Sequence, residues 1–274
     1  MGKVSTLRSR SLSSFAPRFV VSAGYRVAFR KRRVPSSVFP LDVVRGHGLE
    51  VGGPSLFFQH SLPVYRTAAR IDGMNFADET MWEGSIRDGQ PFVCGSKILG
   101  TQFLGEATDL AQFADDTFDF VLSCHSLEHS ANPLRALEEW KRVVKSDGHI
   151  ILVLPNKTAI FDHRRPTTKM SHLMKDFRSG VGEDDLTHLA EILELHDLTR
   201  DRAAGSLEAF TERSSRNFQN RGLHHHVFDL ELLREMIDFF GIEEIASHQS
   251  YYDHLVVGRV HKMASGSVPT TDSH

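Results

Sequence analysis

The chain has 274 residues, of which 40% are hydrophobic and 24% charged, with a formal net charge of -3. That is the balance of an ordinary globular protein, and no apolar run approaches the ~20 residues that a membrane-spanning helix needs. Nine of the 32 Lys/Arg fall within residues 1–41, where there is no acid, leaving 23 bases against all 35 acids in the remainder; so acidic a body argues against broad nucleic-acid binding.

Residues 1–41 read as a basic segment, flexible or targeting. The first 33 are rich in Arg and Ser and free of acid, the composition of an organellar transit peptide as well as of a plain basic tail. The chain is therefore expected inside the cell, in the cytoplasm, or in a mitochondrion or plastid if that segment is a transit peptide. Cys94 and Cys124 form no C-x-x-C pair and no disulfide framework, which fits a reducing compartment.

From residue 42 the pattern alternates between strand and helix, and a single domain is expected over 42–262. Gly48–Gly52 is a short apolar strand ending in glycine, Ala68–Asp72 a second ending in an acid, and Gln102–Ala107 a third. Phe118–Ser123 and His149–Pro155 read as buried strands. Between them Asn132 caps a helix, Pro133 suits its first turn, and Leu134, Leu137 and Val144 recur at helical spacing. Strand, helix and strand with short connections make a βαβ unit and a parallel sheet. Asp229 caps a further helix over Leu230–Phe240, and Ile242–Ala246 and His254–Val260 close the sheet. Residues 156–227 are polar, helical in period and carry seven of the 16 histidines; they read as an insert over the carboxyl edge of the sheet, where doubly wound folds bind ligands. Residues 263–274 read as a disordered tail.

Four short motifs carry candidate chemistry. Glu50, Gly52 and Gly53 sit where a strand runs into a glycine turn, so that backbone can approach a ligand closely; the dinucleotide fingerprint G-x-G-x-x-G is absent. Asp72, 22 residues after Glu50, could accept ribose hydroxyls, or be a turn aspartate before Gly73. Asp109 could accept from an adenine amine with Leu110 against the ring, or simply cap a helix. His125-Ser126-Leu127-Glu128-His129 is literally H-x-x-E-H, a metalloprotease signature that requires one continuous helix; here it lies between a strand and a helix start.

LEVGGPS, ARID, EATDL and FADDTFDFVLSCHSLEHSANPLRALEEWKRVVKSDGHIILVLP together resemble the type 11 group of class I S-adenosylmethionine (SAM)-dependent methyltransferases, over about residues 48–258. The resemblance implies a Rossmann-like, seven-stranded, mostly parallel α/β sheet with helices on both faces and a helical insert after the fifth strand. It implies SAM as cofactor, held by Glu50, Gly52, Gly53, Asp72, Asp109, Leu110, Ser123 and His125. The glycine turn is shorter than that of most members. The segments around Phe161–Thr168, Gly182–His188 and His224–Phe228 are similar to a subgroup whose substrates are unassigned, so a small-molecule or glycan acceptor is expected, with no nucleic acid and no membrane segment.

A hydroxyl acceptor needs a base, and histidine suits that task. His129, His225 and Asp162 are the expected catalytic residues, with Arg164 and Arg165 candidates to clamp an acidic substrate group. A divalent metal among these histidines is a secondary expectation, and none is assigned. Two other functions remain open: a catalytically silent binding module on the same fold, and a metal-dependent hydrolase using His125 and His129.

Overall fold

The computed structural model describes residues 33–80 and 82–262. The basic stretch up to residue 32 and the tail from residue 263 lie outside the described residues. The strands are β1 His47–Val51, β2 Arg70–Asn75, β3 Glu79–Thr80, β4 Gly84–Ser85, β5 Pro91–Cys94, β6 Lys97–Leu104, β7 Phe118–Cys124, β8 Val144–Pro155, β9 Ile242–Gln249 and β10 Asp253–Val260. The helices are α1 Val64–Thr67, α2 Pro133–Val143, α3 Met170–Ser179, α4 Leu189–Leu195, α5 Leu207–Ser215, α6 Asn217–Asn220 and α7 Leu230–Phe239.

The main sheet has eight strands in the order β5-β6-β2-β1-β7-β8-β10-β9. β6, β2, β1, β7 and β8 are parallel; β10 runs antiparallel between β8 and β9. This is the expected doubly wound α/β architecture with one addition, the antiparallel edge strand β5. The strand order reverses between β1 and β7, which places the topological switch point at the carboxyl ends of those two strands.

Burial on both faces explains the apolar runs in β7 and β8. Leu49, Val121, Ile150, Leu152 and Val256 point to one face, where Leu134, Leu137 and Trp140 of α2 and Leu233, Met236 and Ile237 of α7 cover them. Each such fully buried side chain contributes about 1.5–3 kcal/mol. The Asn132 side chain accepts from Arg135 N at 3.1 Å and Asp229 from Leu232 N at 2.9 Å, so both expected caps form. On the other face Phe120, Leu122, Ile151, Val153 and Val257 pack under short elements: the turn of helix at Leu41–Val44, the Phe57–Ser61 turn and α1. Helices do stand on both faces, but the long ones are confined to the first.

The insert folds as α3 to α6 with a small core of its own, Ile192, Ala204, Phe210 and Leu223. Its hub is Arg165, 1% exposed, which donates to Asp162 Oδ1 at 3.2 Å, Glu191 Oε1 at 2.8 Å and the carbonyls of His224 and His225 at 2.7 and 3.1 Å. Arg164 is exposed and pairs with Asp197 at 3.3 Å. The two arginines expected to clamp substrate instead build the insert.

Candidate active-site cleft

A cleft of about 480 Å³ opens at the switch point, within the roughly 300–1,000 Å³ usual for small-ligand sites. Its floor is the carboxyl edge of the sheet: Val51, Gly52 and Pro54 after β1, Asn75 and Phe76 after β2, Gly105–Ala107 after β6, and Cys124–Ser126 after β7. Its roof comes from the insert, through Phe161, Glu183, Asp201, Arg213, Arg221 and His224. Trp82 and Glu83 flank the opening.

Gly52 has φ +78°, and a Cβ there would stand 2.5 Å from Ser126 Oγ, so this position needs glycine. Glu50 is fully buried behind the turn. Its carboxylate accepts from Ser55 N at 3.0 Å and from the Tyr65 hydroxyl at 2.7 Å, and a Cβ on Gly53 would collide with it at 2.3 Å. Burial pushes Glu50 up to about 7. Glu50 and Gly53 therefore shape the turn from behind, while Gly52 meets the cleft.

Asp72 stands away from the cleft. β2 continues three residues past it, so the carboxylate lies within the ladder, opposite Leu49. There it accepts from His47 Nε2 at 2.7 Å, Arg70 Nε at 2.9 Å and Thr101 N at 2.7 Å. The strand end belongs to Asn75, whose Nδ2 donates to Gly53 O at 3.0 Å. Asp109 is also displaced: it is exposed and its side chain accepts from Ala111 N at 3.1 Å, in a turn with no helix after it. Leu110 is fully buried in the core beneath. The acid that reaches the cleft from this loop is Glu106, which pairs with Arg221 at 2.7 Å.

After β7, Ser123 is fully buried between strands, and its Oγ has no hydrogen-bond partner among the described residues. His125 adopts φ +50°, lines the cleft and has Nε2 2.9 Å from Asp253 Oδ1. The H-x-x-E-H segment is a turn with one short 3-10 element, Leu127–His129. It does not present both histidines from one helix, so the protease geometry is not formed.

The expected catalytic residues separate. His129 lines the cleft; its Nδ1 donates to Leu223 O at 3.0 Å, and its ring touches Trp82 and His224 edge-on with centroids 5.0 and 4.6 Å away. Burial, then the His224 charge, holds it well below the usual imidazole range. His225 is buried outside the cleft with Nε2 2.9 Å from Asn217 Nδ2, and burial pushes it down to about 4. Its neighbour His224 takes the cleft position, because successive residues of an extended chain point opposite ways. His224 Nδ1 lies 2.6 Å from Asp162 Oδ2. Burial works against the charged ring, but Asp162 and Glu128 outweigh it and raise His224 above its ordinary value. Asp162, 2% exposed, reaches the cleft through His224.

Glu128, His129 and His224 also bring one ligand atom each within 4.8 Å of one another, a set able to hold a divalent cation. Glu128 is fully buried, its Oε2 has no partner among the described residues, and burial raises it despite His224 and His125. Arg221 ties roof to floor by pairing with Glu106 at 2.7 Å and Glu183 at 2.8 Å. Asn75, Trp82, Glu83, Glu106 and Arg221 line the cleft without a local sequence signal that singles them out, whereas the triple-histidine run marked His224 without separating it from His225.

Fold and cleft define a doubly wound α/β protein that receives its ligand at the strand-order reversal. Residues 57–152, about a third of the chain, match the type 11 methyltransferase domain family, and that match supports a class I methyltransferase using SAM. An uncharacterized protein of Methanocaldococcus jannaschii is 46% identical over 48 residues, 18% of this chain and 21% of that protein; the match thus spans about one fifth of that relative's length. A SAM-dependent methyltransferase from Aquifex aeolicus superposes with a TM-score of 0.41 at 12% identity, over 86% of this chain and 98% of its own. An arsenic(III) SAM methyltransferase from Chlamydomonas reinhardtii gives 0.40 at 13%, over 86% and 70%.

The lining fits such a cofactor in part. Gly52 presents bare backbone, Asn75 a side-chain carbonyl, and Glu83 and Glu106 carboxylates able to accept hydroxyl or amine protons. At the end of β2 the cleft is lined by Asn75 and not by Asp72, and burial of Glu83 pushes it up to about 7.

Proposed function

We propose that the chain methylates a hydroxyl or amine of a small molecule or glycan end, with His224 receiving the acceptor's proton. The observation that carries this reading is the His224–Asp162 pair at the cleft, 2.6 Å apart. When bound, SAM supplies an activated methyl group; the protein's tasks are alignment and removal of a proton. Asp162 fixes Nδ1 as the hydrogen-bonded nitrogen, which leaves Nε2 of the neutral ring as the basic atom. Phe161, with its centroid 4.8 Å from that of His224, and Trp82, 5.0 Å from that of His129, supply apolar walls beside these two histidines.

The cleft must take both the cofactor and the reacting end of the acceptor, which favours small acceptors.

The test is transfer of labelled methyl from SAM to a panel of hydroxyl- and amine-bearing small molecules and sugars, using wild type, His224→Asn and His125→Ala. The reading expects turnover that His224→Asn abolishes while SAM binding persists. Full turnover by His224→Asn with loss in His125→Ala would move the base to the His125–Asp253 pair. SAM binding with no acceptor across the panel would favour a binding module.

A further inference from the structure

The insert holds a second cluster, formed by residues that do not line the cleft. His172 and Asp176 lie one turn apart on α3, His188 immediately precedes α4, and His226 belongs to the extended run that follows His224. One ligand atom from each lies within 4.8 Å of all the others. His172 Nε2 is 3.0 Å from His188 Nε2 and 3.0 Å from Asp176 Oδ2, and the His226 imidazole stands against the same carboxylate. A tetrahedral zinc with bonds of about 2.0–2.1 Å separates its ligand atoms by roughly 3.3 Å. The four atoms therefore surround a centre of the right size.

Hydrogen bonding alone serves this cluster poorly. His172 Nε2 carries at most one proton, yet faces both an imidazole nitrogen and a carboxylate oxygen at the same distance. The His226 side chain is fully buried, and its Nδ1 has no partner among the described residues. Its Nε2 donates to Ala131 O at 3.2 Å, the kind of carbonyl contact that orients a ligating imidazole. Three imidazoles and a carboxylate converging from three separate segments are the donors that zinc and similar borderline divalent ions select.

We propose that His172, Asp176, His188 and His226 form a four-coordinate structural site for a divalent cation of the zinc type. Four protein ligands leave no open position, so the ion holds structure and does not perform chemistry. It would pin α3, the turn before α4 and the His224–His226 run to one point. His226 is two residues from His224, and α3 receives Asn132 Nδ2 on the Asp176 carbonyl at 3.3 Å. The ion thereby fixes the roof of the cleft relative to the start of α2.

The experiment uses the full chain, purified without a histidine tag, and is independent of SAM. Elemental analysis of the protein as isolated comes first, followed by chelator washing and titration with Zn²⁺ and Co²⁺. The expected result is about one ion per chain, the visible absorption of tetrahedral Co²⁺ on titration, and a higher Tm with metal. His172→Gln and His188→Gln should each weaken Co²⁺ binding on the order of a hundredfold or more, while His224→Asn should keep it. Absence of both the Co²⁺ spectrum and a thermal shift in washed wild type would overturn the proposal, and that measurement needs no variant to fold. Binding that is lost in His224→Asn and kept in His172→Gln would overturn it equally, by moving the ion to the cleft.

Discussion

His224 Nδ1 stands 2.6 Å from Asp162 Oδ2, and Asp162 in turn accepts from the buried Arg165 guanidinium at 3.2 Å. The chain from Arg165 through Asp162 to His224 turns a charged hub of the insert into a means of orienting one cleft imidazole. Asp162 is held below the usual carboxylate range because, although burial opposes it, the charges of His224 and Arg165 prevail. His224 is raised by the same pairing, so the two shifts agree.

Removing that base should lower kcat by about 10²–10⁴-fold, the usual contribution of a positioned proton acceptor, with the Kd for SAM unchanged. Asp162→Asn gives a sharper test. A base must be neutral, so activity rises with pH through the His224 pKa. Loss of Asp162 lowers that pKa, and the acid limb of the kcat profile should move to lower pH while the plateau falls. An acid limb at the wild-type position would separate Asp162 from the reacting histidine.

Glu50 predicts a pH dependence of stability. Its folded-state value of about 7 exceeds the ordinary 4.5, so the fold favours the protonated form. The stabilisation is fully present below about pH 4.5 and is lost as pH rises through 7, an effect of about 3 kcal/mol at most. Glu50→Gln keeps the shape without the ionisation, and the Tyr65 hydroxyl can turn to accept from the amide. Denaturation of wild type and Glu50→Gln at pH 5 and pH 8 should show the variant gaining relative to wild type at the higher pH.

Asp72 and Asn75 should part company. Asp72→Ala leaves His47, Arg70 and Thr101 N without their shared acceptor, a cost of about 1–3 kcal/mol and a Tm lower by roughly 2–10 °C. Calorimetric affinity for SAM should stay close to wild type. Asn75→Ala, at the strand end and braced on Gly53 O, should weaken SAM binding by about tenfold, the equivalent of one lost hydrogen bond.

Arg221 bridges Glu106 and Glu183 at 2.7 and 2.8 Å, with its own side chain only 8% exposed. Arg221→Met should release the roof from the floor. Limited proteolysis should then cut faster within residues 183–222, and the KM for the acceptor should rise more than kcat falls.

The stretch from Phe118 to Pro155 was legible because each signal there has one cause: apolar runs buried on both faces, an Asn-Pro helix start whose cap forms, and a short turn between. The β2 end was misread at Gly73. That glycine does not end the strand; a Cβ would meet the Phe92 ring of β5 at 2.2 Å, so it marks a close approach inside the sheet. β5 is itself the strand absent from the expected seven, and nothing local in its four residues outweighs the turns around it. His225 reads as the cleft residue in place of His224 because a run of three histidines carries no information about which parity faces the ligand. Arg165 read as a surface clamp because sequence cannot show that Asp162, Glu191 and two carbonyls converge on it.

The central claim, that this cleft binds SAM for methyl transfer, is tested most directly by calorimetric titration of the folded full chain with SAM and S-adenosylhomocysteine. The account predicts one site per chain with micromolar affinity for both, accompanied by a change in Trp82 fluorescence that Trp82→Phe removes. A folded protein that gives no binding heat with either compound would contradict it.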